Sequence, residues 1–271
     1  MTSNNALSSI EVFGVPLYYE VSGEGSPVVL IHEGIGDSRM FAPQMAALSA
    51  RHQVVRYDLP GYGRSGKPQT PYTHHEALDA LLQHLDIKQT SILGMSMGSN
   101  IALDYALTYP ANVSGLMLIS AGLDGFPPDP DTMTFIQPMI DAYEAEDWPR
   151  AIEETLHVWI DGPDRTADEV DPAVRELMRG LITTMIERER EPGVAASLLD
   201  PLAVERLDEI NVPTLVIVGD GDLPNIMQQA DLLERSIAGA RKVVIPNVAH
   251  VPNLERPEQI NQLVLDFLAV N

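Results

Sequence analysis

Short, almost continuously apolar runs recur along this chain, and they constrain its fold more than any other feature of the sequence. A strand that is apolar on both faces has to be buried on both faces, which is typical of a parallel sheet covered by helices. Segments with helical spacing lie between the runs, such as residues 101–109, where Pro110 ends the pattern. The sequence therefore predicts an α/β fold with a mostly parallel, doubly wound sheet. The seven predicted strands are residues 17–21, 28–31, 54–57, 91–93, 116–119, 214–218 and 243–245.

The alternation of strands and helices is interrupted between residues 124 and 206. This stretch opens with a proline-rich run and contains no convincing strand, and its clearest periodic segment, residues 174–185 after Pro172, has helical spacing. We therefore predict a core formed by residues 1–123 and 207–271, with a helical cap inserted at 124–206. The alternative is that these helices simply continue the helical layer of the core.

The charge balance limits the partners of this chain. It has 17 basic and 39 acidic residues among 271, a net charge of −22, and that charge repels phosphate backbones and anionic lipid surfaces. We therefore expect no nucleic acid and no membrane among its partners, and a monomer or homodimer that binds a small-molecule substrate.

Two features that the sequence lacks further limit the chemistry and the location of the protein. The chain has no cysteine, which excludes disulfides and thiolate catalysis. We see neither a secretory signal in the first residues nor an apolar stretch near the roughly 20 residues that span a bilayer, so we expect a cytoplasmic protein.

Residues 94–98 (GMSMG) form the most informative motif. They follow a predicted buried strand and precede an amphipathic helix, which is the setting of a strained strand-to-helix turn that presents a nucleophilic serine. Ser96 would lie at the N-terminus of that helix, where free N–H groups and the helix dipole favour negative charge. The alternative is a buried turn that happens to contain serine.

A nucleophilic serine needs a base and a carboxylate that orients the base, and in this type of fold they follow in the order serine, acid, histidine. Among the seven histidines, only His250 comes late and directly after a predicted strand. The acid should follow the strand at 214–218, where Asp220 and Asp222 are both candidates; we favour Asp222, which leaves room for the turn, and expect Asp220 to hold the loop. Asp124 is a more remote candidate. We expect the other histidines to be exposed (His52, His74, His75, His84) or to pack within the insertion (His157).

Taken together, these residues resemble the α/β-hydrolase superfamily, in its capped esterase, enol-lactonase and haloperoxidase-like branch. The resemblance covers nearly the whole chain outside the insertion. It depends on five segments in the same order: HEG at 32–34 with DSR at 37–39, DLPGYGRS at 58–65, GMSMG at 94–98, GDGD at 219–222, and NVAHVP at 247–252 followed by NLERP.

The resemblance implies catalytic roles for Ser96, Asp222 and His250. It also implies an oxyanion hole made by the backbone N–H groups of Gly34 and Met97, a cap formed by the insertion, and no metal or organic cofactor. One departure is Glu33, which stands where the family usually has glycine. We expect its carboxylate either to point away, toward Arg39, or to select a polar or cationic substrate. His32 is expected to fix the loop.

The function predicted from these features is hydrolysis of a small carboxylic ester or lactone through an acyl-enzyme on Ser96. The same constellation serves carbon–carbon bond hydrolysis, peracid formation and cofactor-free oxygenation, which stay open as alternatives. A serine at position 96 argues against dehalogenase or epoxide hydrolase chemistry, since both need a carboxylate nucleophile. An alternative of another class is a ligand-binding protein without activity, built on the same scaffold.

Overall fold

The computed structural model describes residues 8–270, which form one eight-stranded sheet with helices on both faces. The strand order is β1-β2-β4-β3-β5-β6-β7-β8. The six strands from β3 to β8 are parallel to one another, and β2 is antiparallel to both of its neighbours, β1 and β4. The predicted doubly wound α/β sheet is therefore confirmed. The strands are β1 Ser8–Val12, β2 Val15–Ser22, β3 Pro27–Ile31, β4 Gln53–Tyr57, β5 Thr90–Met95, β6 Val113–Ile119, β7 Thr214–Gly219 and β8 Arg241–Ile245.

The first strand was not predicted. In β1, more and less exposed residues alternate, because this strand lies at the edge of the sheet. It pairs antiparallel with β2 through the two-residue turn Phe13-Gly14, in which φ is 51° and 74°. Two positive φ angles are the geometry of the tight turn that best matches the twist of a hairpin.

Helices cover both faces of the sheet, and apolar side chains pack under them on each face. In the central strand β3, residues 28–31 have no solvent-exposed surface, which explains why the strand is apolar at successive positions. The α-helices are α1 Ala42–Leu48, α2 His74–His84, α3 Met97–Thr108, α4 Pro130–Glu144, α5 Trp148–Leu156, α6 Pro172–Glu189, α7 Pro224–Ser236, α8 Pro252–Glu255 and α9 Pro257–Val270.

The segment between β6 and β7 is helical, and its described residues include no strand. It contains α4, α5 and α6, with a π-helical turn at His157–Asp161 after α5. Arg165 links this segment to the core through an ion pair with Glu255, at 2.7 Å. The division of the chain into core and cap remains a prediction, but this segment lies where a cap would have to lie, against the loops that follow β7 and β8. Within residues 8–270, no helix is both long enough and apolar enough to cross a membrane.

Candidate active site

Ser96 occupies a strained turn between β5 and α3. Its backbone has φ 51° and ψ −118°, outside the regions that residues other than glycine usually adopt. The turn is fixed by the Ser96 N–H, which donates to the Ile119 carbonyl at 2.9 Å, and by the Gly122 N–H, which donates to the Ser96 carbonyl at 3.2 Å. Strain of this kind persists only where neighbouring contacts hold it, and it is frequent at functional sites.

The glycines at 94 and 98 make this turn possible. A Cβ on Gly98 would lie 2.1 Å from the Ile31 carbonyl oxygen, and a Cβ on Gly94 would lie 2.3 Å from the Gly98 carbonyl oxygen. Any larger residue at either position would push β5 and α3 apart or away from β3. The spacing of the motif is therefore explained by the packing of three backbones, and the serine lies between them at the carboxyl end of β5.

Asp222 and His250 meet in a buried hydrogen bond. Asp222 follows β7 and His250 follows β8, and their side chains are only 1% and 2% exposed. The ring Nδ1 lies 2.9 Å and 3.1 Å from the two carboxylate oxygens. Because a carboxylate only accepts, Nδ1 carries the proton and donates it, which leaves Nε2 as the free basic nitrogen.

The surroundings of His250 favour the charged form of its ring. Burial lowers the pKa of His250, but the charge of Asp222, its hydrogen bond and the charge of Glu33 raise it, and the net pKa lies above the ordinary value. An imidazole of this kind accepts a proton readily and is stabilised once it has done so. The pair can therefore act as a general base with an orienting carboxylate.

The structure separates Asp222 from the other two acids considered. Asp220 is exposed, and its carboxylate accepts from the Asn247 backbone N–H at 2.7 Å, so it holds the loop. Asp124 accepts from the Asn100 side-chain amide at 2.9 Å on the flank of α3. Neither carboxylate is hydrogen-bonded to His250.

Gly34 and Met97 lie against each other where the resemblance placed an oxyanion hole. A Cβ on Gly34 would be 3.6 Å from Met97 Sδ and 3.8 Å from Met97 Cβ. Within residues 8–270 neither backbone N–H donates a hydrogen bond to the protein. Met97 is the first residue of α3, where N–H groups have no partner in the helix and the dipole favours an anion.

Ser96 and His250 are not directly bonded in this structure. In the described chain the Ser96 hydroxyl takes part in no hydrogen bond, and its residue is half-buried. A nucleophile and its base are often farther apart without substrate and move together in the substrate complex. The structure thus joins Asp222 to His250, and leaves Ser96 at the end of β5, which β6 separates from β7, without a bond to either.

The loop after β3 is fixed by His32. Its Nδ1 donates to the Glu33 carbonyl at 2.7 Å, and its Nε2 accepts from the Leu59 N–H at 2.9 Å. Burial lowers the pKa of His32, against the charge of Asp58, so the ring stays neutral. His32 thus holds the backbone that presents Gly34, as the sequence suggested.

Glu33 does not point toward Arg39, and that part of the prediction is wrong. Arg39 pairs with Asp37 at 2.7 Å, two residues away on the same turn. The Glu33 side chain is completely buried, and both of its carboxyl oxygens lack a hydrogen-bond partner within the described chain. Burial raises the pKa of Glu33 to about 7. The charge of His250 opposes this rise, and the charge of Asp222 adds to it.

A cavity of about 400 Å³ lies between the loop after β3 and the inserted segment, and Ser96, Asp222 and His250 do not line it. Its wall includes Gly34 and an aromatic group formed by Tyr62, Tyr72, Tyr143 and Trp159. The Trp159 ring lies 4.5 Å from the His250 ring, and its carbonyl accepts from the His250 N–H at 3.2 Å. Trp159 belongs to the π-helical turn, so the inserted segment contacts the loop of the candidate base directly.

Three histidines differ from the sequence prediction. His75 was expected to be exposed but is buried. His74 was expected to be exposed but lines the cavity, and burial, with the charges of His32 and His75, lowers its pKa to about 3. His157 was expected to be packed, but its side chain is 48% exposed. No signal in the sequence indicated which of these histidines would be buried and which exposed. Among residues 8–270, no group of three or more His, Asp or Glu side chains could hold a metal ion.

Comparisons with known proteins agree with this fold. The sequence profile of the alpha/beta hydrolase fold family matches residues 27–257. Serine hydrolase BPHL of Mus musculus is 27% identical over 96% of this chain and 86% of its own. The 2-hydroxy-6-oxononadienedioate/2-hydroxy-6-oxononatrienedioate hydrolase 2 of Pseudomonas putida is 28% identical over 93% of this chain and 91% of its own. The enol-lactonase of Burkholderia xenovorans superposes with a TM-score of 0.79 at 27% identity, over 97% of this chain and all of the other. The chain belongs to the α/β-hydrolase fold family.

Proposed function

We propose that this protein is a serine hydrolase that cleaves a small carboxylic ester or lactone through an acyl-enzyme on Ser96. His250 accepts the hydroxyl proton at Nε2 as the serine oxygen attacks the acyl carbon. The N–H groups of Gly34 and Met97 bind the resulting oxyanion. His250 then gives the proton to the departing alcohol and activates a water molecule, which releases the acid and restores the serine.

The observation that carries this proposal is the buried hydrogen bond between Asp222 and His250, 2.9 Å long, at the same carboxyl edge of the sheet as the Ser96 turn. Removing two ionisable groups from water costs several kcal/mol for each ion, and their attraction often fails to offset that cost. Fold stability alone therefore gives little reason for such a pair. An oriented base at the same edge of the sheet as a strained serine supplies the reason.

The cavity supports a substrate without negative charge. In the described chain Lys67 is the one cationic side chain on its wall, and its ammonium donates to the carbonyl oxygens of Glu189 and Glu191, at 2.7 Å and 3.0 Å. The Glu189 carboxylate also borders the cavity, and the whole chain carries a net charge of −22. Aromatic walls and a volume near 400 Å³ suit a small, neutral acyl compound.

This charge distribution favours ester or lactone hydrolysis over carbon–carbon bond hydrolysis of a substrate that carries two carboxylates. The relative from Pseudomonas putida acts, by its name, on a dioate, which carries two carboxylates. A free cation on the cavity wall would be needed to bind such a substrate, and Lys67 already has two partners. The enol-lactonase, by its name, acts on a lactone, which brings no such requirement.

The experiment is turnover of p-nitrophenyl acetate, p-nitrophenyl butyrate and simple lactones by the wild type and by Ser96→Ala. We expect the variant to lose the activity while its circular dichroism spectrum and thermal unfolding remain those of the wild type. Ser9→Ala, an exposed serine on β1, is the matched control and should retain full activity. Wild-type rates in Ser96→Ala would refute the proposal.

A further inference from the structure

Glu33 directly precedes Gly34, one of the two predicted oxyanion donors, yet the mechanism proposed above does not use it. A Cβ on Gly36 would lie 3.4 Å from Glu33 Oε1 and 3.5 Å from Leu181 Cδ1, so the carboxyl lies beneath the loop after β3, and α6 covers that loop. Neither oxygen has exposed surface or a hydrogen-bond partner in the described chain. Leu181 is itself buried and apolar, and it offers the carboxyl no compensation.

The charges that act on Glu33 belong to the candidate site. His250 favours its ionised form and Asp222 opposes it, and the charge of Glu33 in turn acts on His250. The cation of the same loop, Arg39, is bound by Asp37. Glu33 is therefore electrically coupled to the imidazole rather than to a partner of its own.

The groups that face His250 are few. Asp222 contacts it from the loop after β7, Glu33 acts on it from the loop after β3, and the neutral indole of Trp159 packs on its ring. In the segment after β8, Glu255 forms an ion pair with Arg165. Glu33 is thus the second carboxyl, after Asp222, whose charge acts on the imidazole.

We propose that Glu33 is a positioning residue which, as a second carboxyl beside His250, sets through its charge the pH range in which the imidazole acts as a base. This inference rests on the proposed function of Ser96 and His250. An ionised Glu33 stabilises the imidazolium and so keeps His250 protonated to higher pH. Because the charge of each group acts on the pKa of the other, their protonation is coupled, and the acidic limb of the activity profile belongs to both groups.

A role in packing alone is the alternative. A buried carboxyl without a hydrogen-bond partner is costly, and a neutral side chain of the same length would fill the space at less cost. Packing also predicts that a neutral replacement leaves the titration of His250 unchanged. A charge effect predicts that it does not, and this difference provides the test.

The direct test is an NMR titration of the His250 ring in protein labelled with ¹⁵N-histidine, with the signal assigned by its loss in His250→Gln. In Glu33→Gln we expect the pKa of His250 to fall by about 0.5 or more, the direction that loss of a nearby negative charge requires. Glu33→Met removes the charge without adding a group that needs hydrogen bonds, and it replaces Glu33→Gln if that variant does not fold. Glu33→Asp keeps a charge and should restore part of the difference. An unchanged His250 titration in a folded neutral variant overturns the inference.

The activity test uses the pH profile of kcat/KM with p-nitrophenyl butyrate. In Glu33→Gln or Glu33→Met the acidic limb should move to lower pH, so that activity at pH 6 relative to pH 8 rises about threefold for a shift of about half a pH unit. A profile with the wild-type shape overturns the inference and leaves the function of Ser96 intact. Conversely, turnover that survives Ser96→Ala would remove the proposed function, while the NMR titration would still decide whether Glu33 acts on His250.

Discussion

Replacement of Glu33 by glutamine should change how the stability of this protein depends on pH. The pKa of Glu33 rises from its ordinary value of 4.5 to about 7 because the carboxyl is completely buried. A carboxyl whose pKa is raised by folding binds its proton more tightly in the folded state. Its ionisation therefore costs stability, beginning as the pH rises through 4.5 and complete above about 7.

The size of this cost follows from the pKa difference. At about 1.4 kcal/mol for each pKa unit, a rise from 4.5 to about 7 corresponds to about 3 kcal/mol of unfolding free energy, most of it between pH 5 and pH 8. Glutamine has no proton to lose, so Glu33→Gln escapes this cost. As the pH rises from 5 to 8, the unfolding free energy of the variant should rise by about 2 to 3 kcal/mol relative to that of the wild type. This change does not depend on the difference between the two proteins at pH 5.

The assay is urea unfolding followed by tryptophan fluorescence at pH 5, 6, 7 and 8. Comparing the two proteins at each pH cancels the contributions of all other titrating groups to a first approximation. Glu24→Gln, at an exposed glutamate without a hydrogen-bond partner among the described residues, is the matched control and should follow the wild type at every pH. The reasoning would be refuted if the difference between wild type and Glu33→Gln did not change with pH.

Two further pairs of substitutions test the assignment of the acid and the packing of the fold. Asp222→Asn should lower kcat by about 10³-fold or more, because the amide no longer fixes the protonated Nδ1 of His250. The control Asp220→Asn should retain most of the activity. Similar losses of kcat in both variants would contradict the assignment of the acid. Gly98→Ala should unfold the protein or lower its melting temperature strongly, because the new Cβ would meet the Ile31 carbonyl at 2.1 Å. Gly180→Ala, in α6 with open space around it, should raise stability by about 0.5 to 1 kcal/mol in the same thermal-unfolding assay, and a loss there would contradict the packing described.

Much of the fold could be predicted because its signals are local. Strands buried on both faces leave continuous apolar runs, and all seven predicted runs form strands. The Ser96 turn was recognisable because backbone packing requires glycine at 94 and 98. The preference for Asp222 over Asp220 depended on the length of the turn and on the family resemblance, and the structure brings Asp222 to His250. The catalytic roles of these residues remain predictions.

The features that were missed depend on tertiary contacts. The strand β1 is stabilised by its pairing with β2 rather than by an apolar run of its own. Glu33 was expected to approach Arg39, but Arg39 bonds to Asp37, and the course of the loop turns Glu33 inward. The place of Trp159 against His250 depends on how the inserted helices pack on the sheet. None of these contacts leaves a periodic signal in the sequence.

The most direct test of the central claim is covalent labelling of Ser96. A fluorophosphonate reacts with a serine only when a base activates the hydroxyl and an oxyanion hole receives the phosphoryl oxygen. Mass spectrometry of the intact protein and of its peptides should show one adduct, located on Ser96, which His250→Gln and Ser96→Ala abolish. A wild-type protein that is not labelled, or that carries the adduct on another serine, would contradict the account.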